Sequence, residues 1–300
     1  MERPYLLHFA TPGTRVSPFD VNMAYDAGWN AVIPYSGVGL EDIAGFTQDA
    51  IFSRGPKGVK NTGIFIGGRD PVLAADMLDA ARKAMVPPFE VSVFADPSGA
   101  YTTAAAMIAV VEKALSDAHG STLFSRRVTV FGGTGPVGMI AAVLAAQAGA
   151  DVTLPGHDGL FRAQSATEAI QARFDVTIRP VDASSDEAKA ALVADTEIVL
   201  ATAKAGVQVL GPDHLARSAR LLVAADINAV PPAGIDGIDA MDNGRPLVAA
   251  SGHAVAIGPL AIGKIKYKVQ QGLLQAMLHT DSPLYLGFAE CLREARLHAA

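Results

Sequence analysis

Short apolar runs alternate along this chain with stretches whose apolar residues recur at helical spacing. YLLHFA, NAVIPY, TGIFIGG and EVSVFAD are rich in β-branched and aromatic residues, and helix-periodic segments beginning near Pro18, near Leu40 and over 71 to 85 stand between them. TTAAAMIAVVEKALSDA (102 to 118) predicts a long helix that carries the chain into a second half. There VTVFGG, DVTLPG, VTIRPV, EIVLATA and RLLVAADI repeat the pattern, with helices between. Such alternation predicts parallel strands joined by right-handed crossovers. The expected fold is α/β, with two αβ-alternating domains, the second a Rossmann-type parallel sheet, and a substrate cleft between them. After the loop GIDGIDAMDNG, the stretch AIGPLAIGKIKYKVQQGLLQAMLH reads as a last helical region returning to the first half. The expected domains are therefore 1–105 plus 266–300, and 106–265.

Composition narrows the function. A formal charge of −6 argues against a nucleic-acid binder, whose domains usually carry a basic face. Cys291 is the single cysteine, so neither a disulfide framework nor a cysteine metal cluster is expected. MERPYLLHFA lacks a signal-peptide core, and no apolar run approaches the ~18 residues of a membrane span. The expectation is a soluble, cytoplasmic protein without membrane contact.

The strongest chemical signal is FGGTGPVG (131 to 138), which follows a strand and opens a helix. In a dinucleotide-binding turn the first glycine makes the bend, the second admits the pyrophosphate and the third lets helix pack on strand. Those roles fall to Gly133, Gly135 and Gly138, with Thr134, Pro136 and Val137 completing the turn. NAD or NADP is the expected cofactor, with its pyrophosphate on the helix N-terminus. Because doubly wound sheets bind ligands beyond the carboxyl ends of their strands, Asp96, Thr202, Asp226 and Asn228 become candidates as post-strand residues. The strand ending Leu154-Pro155-Gly156 leads into His157 and Asp158, where a ribose-binding acid would stand. Asp158 suits a 2′-hydroxyl and Arg162 a 2′-phosphate, so dual coenzyme use is expected.

FDVNMAYDAG (19 to 28), DPSGAYTTAAA (96 to 106), GTGPVGM (133 to 139), ADINAVPPAGIDGID (225 to 239) and AIGPLAIGKIKYK (256 to 268) together resemble the NAD(P)-dependent methylene-tetrahydromethanopterin dehydrogenases of methylotrophic bacteria. The resemblance runs along nearly the whole chain. It implies hydride transfer from a methylene-bridged reduced pterin to NAD(P), no metal, and a homo-oligomer, a trimer or a multiple of one. Where folate-accepting relatives tend to have D-x-N-G-x-N-T-T, this chain keeps Asp96, Gly99, Thr102 and Thr103 but has Ser98 and Tyr101 in place of the asparagines, which favours tetrahydromethanopterin. Those relatives that are NADP-specific tend to carry Gly-Arg where Gly156-His157 stands here.

Hydride loss from a methylene carbon between two nitrogens leaves a stabilised cation, so positioning supplies most of the rate. Asp20 and Asp96 are candidates to stabilise that cation. Ser98, Tyr101, Thr102 and Thr103 are expected to meet the substrate, and the resemblance singles out Lys266 and Lys268, the former as a catalytic candidate. Blander readings stand beside these: Asp20 as a helix-start acid, Asp96 as a turn residue, Thr102 and Thr103 as caps, the lysines as surface. A methylene-tetrahydrofolate dehydrogenase, another small-substrate NAD(P) dehydrogenase and a non-catalytic nucleotide sensor are the rival functions.

Overall fold

In a computed structural model that describes residues 3–300, the chain folds into two compact units. Unit 1 comprises residues 1–102 and 267–294; unit 2 comprises 103–266 and 295–300. The last residues therefore go with unit 2 rather than with the first half, because Arg296 forms a two-pronged ion pair with Glu112 there. In chain order the elements are β1 (Leu6–Thr11), α1 (Pro18–Asp26), β2 (Ala31–Ser36), α2 (Ile43–Phe52), α3 (Gly55–Gly58), β3 (Thr62–Ile66), α4 (Pro71–Lys83), β4 (Ser92–Ala95) and α5 (Ala100–His119). They continue with β5 (Arg127–Phe131), α6 (Pro136–Gln147), β6 (Asp151–Gly156), α7 (Leu160–Phe174), β7 (Arg179–Asp182), α8 (Asp186–Asp195), β8 (Ile198–Ala201) and α9 (Pro212–Leu215). The remainder is β9 (Val223–Asp226), β10 (Asn243–Pro246), β11 (Val255–Ile257), α10 (Pro259–Ala276), β12 (Tyr285–Leu286) and α11 (Phe288–Ala299).

Unit 1 is built on a parallel sheet of order β2-β1-β3-β4-β12. Every residue of β3 and β4 is buried, which explains their mostly apolar runs. Gly63 in β3 leaves room for Trp29 and Met277, whose atoms would lie 2.6 and 2.9 Å from an added Cβ. The Trp29 indole donates to the Leu274 carbonyl, so the second half of α10 is fastened over this sheet.

Unit 2 carries the order β7-β6-β5-β8-β9-β11-β10, parallel except for β10, which runs antiparallel to β11. The first six strands reproduce the doubly wound 3-2-1-4-5-6 order. The expectation of parallel strands thus fails at one edge, and the stretch read as wholly helical begins as β11. Ala-rich helices suit the close approach to these sheets. From Tyr101 to Val111 nearly every residue of α5 is buried, as a helix that is apolar on all sides must be. No helix among the described residues is long and apolar enough to cross a membrane.

Candidate active site

β5 ends at Phe131 and the chain turns at once. The tight bend is made by Gly132, with φ +76°, one residue before the glycine expected to make it. A Cβ on Gly132 would stand 2.6 Å from the Ala203 nitrogen, so no larger residue fits. Gly133 serves packing instead, its added Cβ meeting the Leu154 side chain at 2.6 Å. Gly138 is the close-approach glycine: a Cβ there would collide with the Thr202 hydroxyl and come within 2.6 Å of the Gly132 carbonyl. Gly135 differs from all three. Its only near neighbour would be the Gly132 carbonyl at 3.3 Å, and it stands as N-cap of α6 with no side chain capping the helix. Thr134, Gly135, Pro136 and Val137 are half-buried. Uncapped amides beside a glycine form a cradle suited to a pyrophosphate.

This cradle lies where the sheet order reverses, between β5 and β8. Thr202, just past β8, donates its hydroxyl to the Phe131 carbonyl at 2.8 Å and thereby braces the turn. Asp226 and Asn228 organise the loop after β9. The Asp226 carboxylate accepts from the backbone amides of Asn228, Gly234 and Ile235 at 2.9, 2.6 and 3.2 Å. Burial pushes its pKa up, against the pull of those three bonds. Asn228 accepts from Gly206 and Val230 and donates to the Pro232 carbonyl. Thr202, Asp226 and Asn228 thus shape the backbone at the carboxyl ends of β8 and β9.

His157, Asp158 and Arg162 gather beyond β6. Arg162 donates to Asp158 at 3.2 Å, and the His157 ring stands 3.9 Å from the same carboxylate. Desolvation raises the Asp158 pKa, but the Arg162 hydrogen bond, the His157 and Arg162 charges and a backbone hydrogen bond together outweigh it, so the pKa is lowered. All three side chains are open to solvent.

In unit 1 the order reverses between β1 and β3. Asp96, fully buried at the end of β4, accepts from the Tyr101 and Thr102 amides at 2.9 and 3.2 Å and from the Thr102 hydroxyl at 2.7 Å. It holds the head of α5. Ser98 is exposed, adopts φ +53° and donates to the Gly68 carbonyl at 2.7 Å. The Tyr101 hydroxyl donates to the Pro71 carbonyl at 2.6 Å while its ring packs edge-on against Phe288. Thr103 follows, half-buried. Asp20, in the first turn of α1 and only 4% exposed, accepts from the Gln270 amide at 2.6 Å. Asp20 is thus tied to a side chain 250 residues away.

Gln270 escaped sequence reasoning. It belongs to a buried stripe of α10 with Ile262, Ile265, Val269, Leu273 and Leu274, and a lone amide on such a stripe was the available signal. Lys264, Lys266 and Lys268 lie on the same helix rather than a strand; Lys266 is half-buried, one turn before Gln270, and Lys268 is exposed.

Residues 18–98 match the family model described as methylene-tetrahydromethanopterin dehydrogenase, N-terminal. The chain is 46% identical over 290 residues, 97% of each chain, to the NAD(P)-dependent methylenetetrahydromethanopterin dehydrogenase of Methylorubrum extorquens. It is 33% identical over 285 residues, 95% of its own length and 96% of the other's, to the bifunctional protein MdtA of that organism. Among solved structures it superposes on the NAD-dependent malic enzyme of Thermotoga maritima with a TM-score of 0.59 at 12% identity, covering 97% of this chain and 84% of that one. The 5-ketofructose reductase of Gluconobacter gives 0.51 at 17% identity, covering 99% of both chains. At such identities the structural likeness supports the fold alone. Identity along almost the full length carries the assignment: the chain belongs to the methylenetetrahydromethanopterin dehydrogenase family.

Proposed function

We propose that this protein oxidises 5,10-methylene-tetrahydromethanopterin by hydride transfer to NAD+ or NADP+, giving the methenyl cation, in one-carbon (formaldehyde oxidation) metabolism. The observation that carries this reading is the 46% identity along 97% of the chain with a dehydrogenase of that name. The cradle at the head of α6 suits the coenzyme, since Cβ atoms at Gly132, Gly133 and Gly138 would collide with neighbouring atoms and Gly135 leaves the first amides of α6 without a capping side chain. When bound, the nicotinamide accepts the hydride with its electron pair, and no proton leaves in that step.

The chain's own residues bind, orient and stabilise. Gly133, Gly135 and Gly138, with Thr134, Pro136 and Val137, take the pyrophosphate. Thr202, Asp226 and Asn228 hold the backbone that borders the coenzyme. Asp158 accepts the 2′-hydroxyl of NAD, and Arg162 turns to a 2′-phosphate, which supports dual use; His157 adds a further donor. Asp20 and Asp96 supply negative charge for the developing cation, Asp20 fixed by Gln270. Ser98, Tyr101, Thr102 and Thr103 shape the substrate loop, while Lys266 and Lys268 donate to polar groups of the pterin.

The protein works in the cytoplasm, where nicotinamide coenzymes are held, and as a homo-oligomer. Met241 and Val248, 75% and 91% exposed on either side of the open edge strand β10, support the second statement. Light scattering on the purified protein reads its mass.

The test is nicotinamide absorbance after mixing enzyme with methylene-tetrahydromethanopterin or methylene-tetrahydrofolate, each with NAD or NADP. Reduction with the methanopterin substrate is expected. Silence in all four mixtures, with coenzyme still bound, overturns the proposal.

A further inference from the structure

We propose that Arg15 and Arg69 form a subsite in unit 1 for the acidic tail of the pterin substrate, an inference that rests on the function proposed above. Both lie at the point where the order of the unit 1 sheet reverses: Arg15 on the loop after β1, Arg69 on the loop after β3. Connections from these neighbouring strands leave toward opposite faces, which opens a crevice at their carboxyl ends.

The crevice has a built floor. The Gly67 amide donates to the Ala10 carbonyl at 2.9 Å, and a Cβ on Gly67 would stand 2.5 Å from the Phe9 ring. Gly68, with φ +117°, lies against Pro12, whose Cδ would be 3.2 Å from an added Cβ. Its carbonyl accepts from Ser98, so the β4 loop is fastened to the same place. The β2 loop joins through the Gly37 amide, which donates to the Gly13 carbonyl at 3.0 Å.

The aspartates nearest this crevice are committed to backbone amides rather than to its guanidinium groups. Asp70 accepts from the Val72 and Leu73 amides as the cap of α4, and Asp96 holds the head of α5. On the β2 loop, Asp42 accepts from the Gly39 amide and Glu41 folds back over Gly39. Arg15 and Arg69 are exposed and have no side-chain partner among the described residues. Arg126, Arg245 and Arg296, by contrast, pair with Glu197, Asp239 and Glu112. A chain of net charge −6 repels an anionic substrate at long range, so two free guanidinium groups at one crevice supply a local attraction.

Tetrahydromethanopterin reacts at its ring end and carries a phosphodiester and carboxylates at the far end of its side chain. Guanidinium groups match these oxyanions with paired hydrogen bonds. A clamp on the tail fixes the ring without touching the reacting carbon.

The experiment compares the Arg15→Ala/Arg69→Ala double variant with the native enzyme on two substrates: methylene-tetrahydromethanopterin, and a methylene-tetrahydropterin cut back to its aniline ring. The expected result is a KM at least tenfold higher for the full substrate, less than twofold change for the truncated one, and no change in coenzyme KM. The native KM rises with salt and that of the variant stays flatter. Arg217→Ala, an exposed arginine on unit 2 with no side-chain partner among the described residues, serves as control and leaves both substrates unaffected. Equal shifts on the two substrates, or no shift on either, overturn the subsite. Absence of turnover by the native enzyme on any pterin overturns the functional reading itself, and the subsite with it.

Discussion

Gly135 and Gly138 sit three residues apart and have opposite demands. Gly135→Val places a Cβ 3.3 Å from the Gly132 carbonyl, a tight contact but milder than those at Gly138, and is expected to weaken coenzyme binding at least a hundredfold by titration calorimetry. Gly138→Val forces Thr202 and the Gly132 carbonyl aside and should cost ~1–3 kcal/mol, read as a lowered melting temperature. The turn was legible because its steric demands fall on adjacent residues, although which glycine takes the left-handed bend was not. A second test concerns Glu197, which accepts from the Arg127 amide and pairs with Arg126 at 2.8 Å. Partial burial raises its pKa, but the Arg127 amide and both arginine charges outweigh that and hold it below the usual carboxylate range. A depressed folded-state pKa means stability that is full above the unfolded value and is lost as pH falls through the folded one. Glu197→Gln should therefore lower the melting temperature at neutral pH, and the gap to the native protein should close in acid.

Helix α10 shows what a single element can carry. Its apolar stripe makes it a helix, the Trp29 bond fastens it to the unit 1 sheet, and Gln270 reaches Asp20 from the buried face. Gln270→Leu leaves a buried carboxylate short of a donor, which should cost ~1–3 kcal/mol in stability. Steady-state kinetics should show turnover falling more than tenfold with coenzyme KM unchanged; an equal loss in both would refute the role given to Asp20. Elements whose cause is local could be read in advance. β8 is an uninterrupted apolar run, β3 and β4 are apolar after an opening Thr62 or Ser92, and α5 is a helix by composition alone. β10 reads NGRP, wholly exposed, and is a strand only because β11 pairs with it. β12 is two residues set by pairing with β4. Gln270 matters through a partner 250 residues away, which no window on the sequence connects.

At the scale of the whole molecule, two sheets carry different strand orders, one 2-1-3-4-5 and one beginning 3-2-1-4-5. Coenzyme bound to unit 2 alone stabilises it by ~2.7 kcal/mol at a hundred times its dissociation constant. Scanning calorimetry should accordingly show NAD raising one of two transitions; a single transition that shifts as a block would show that the units do not unfold separately.

Unit 1 is also interrupted in sequence: its fifth strand and the second half of α10 come after all but the last six residues of unit 2. Domains emerge from the ribosome in chain order and fold as they complete. The first strands of unit 1 therefore wait, lacking an edge strand and a covering helix, while unit 2 is synthesised. A chaperone that shelters nascent β1 to β4 would act during that interval, before β12 can complete their sheet.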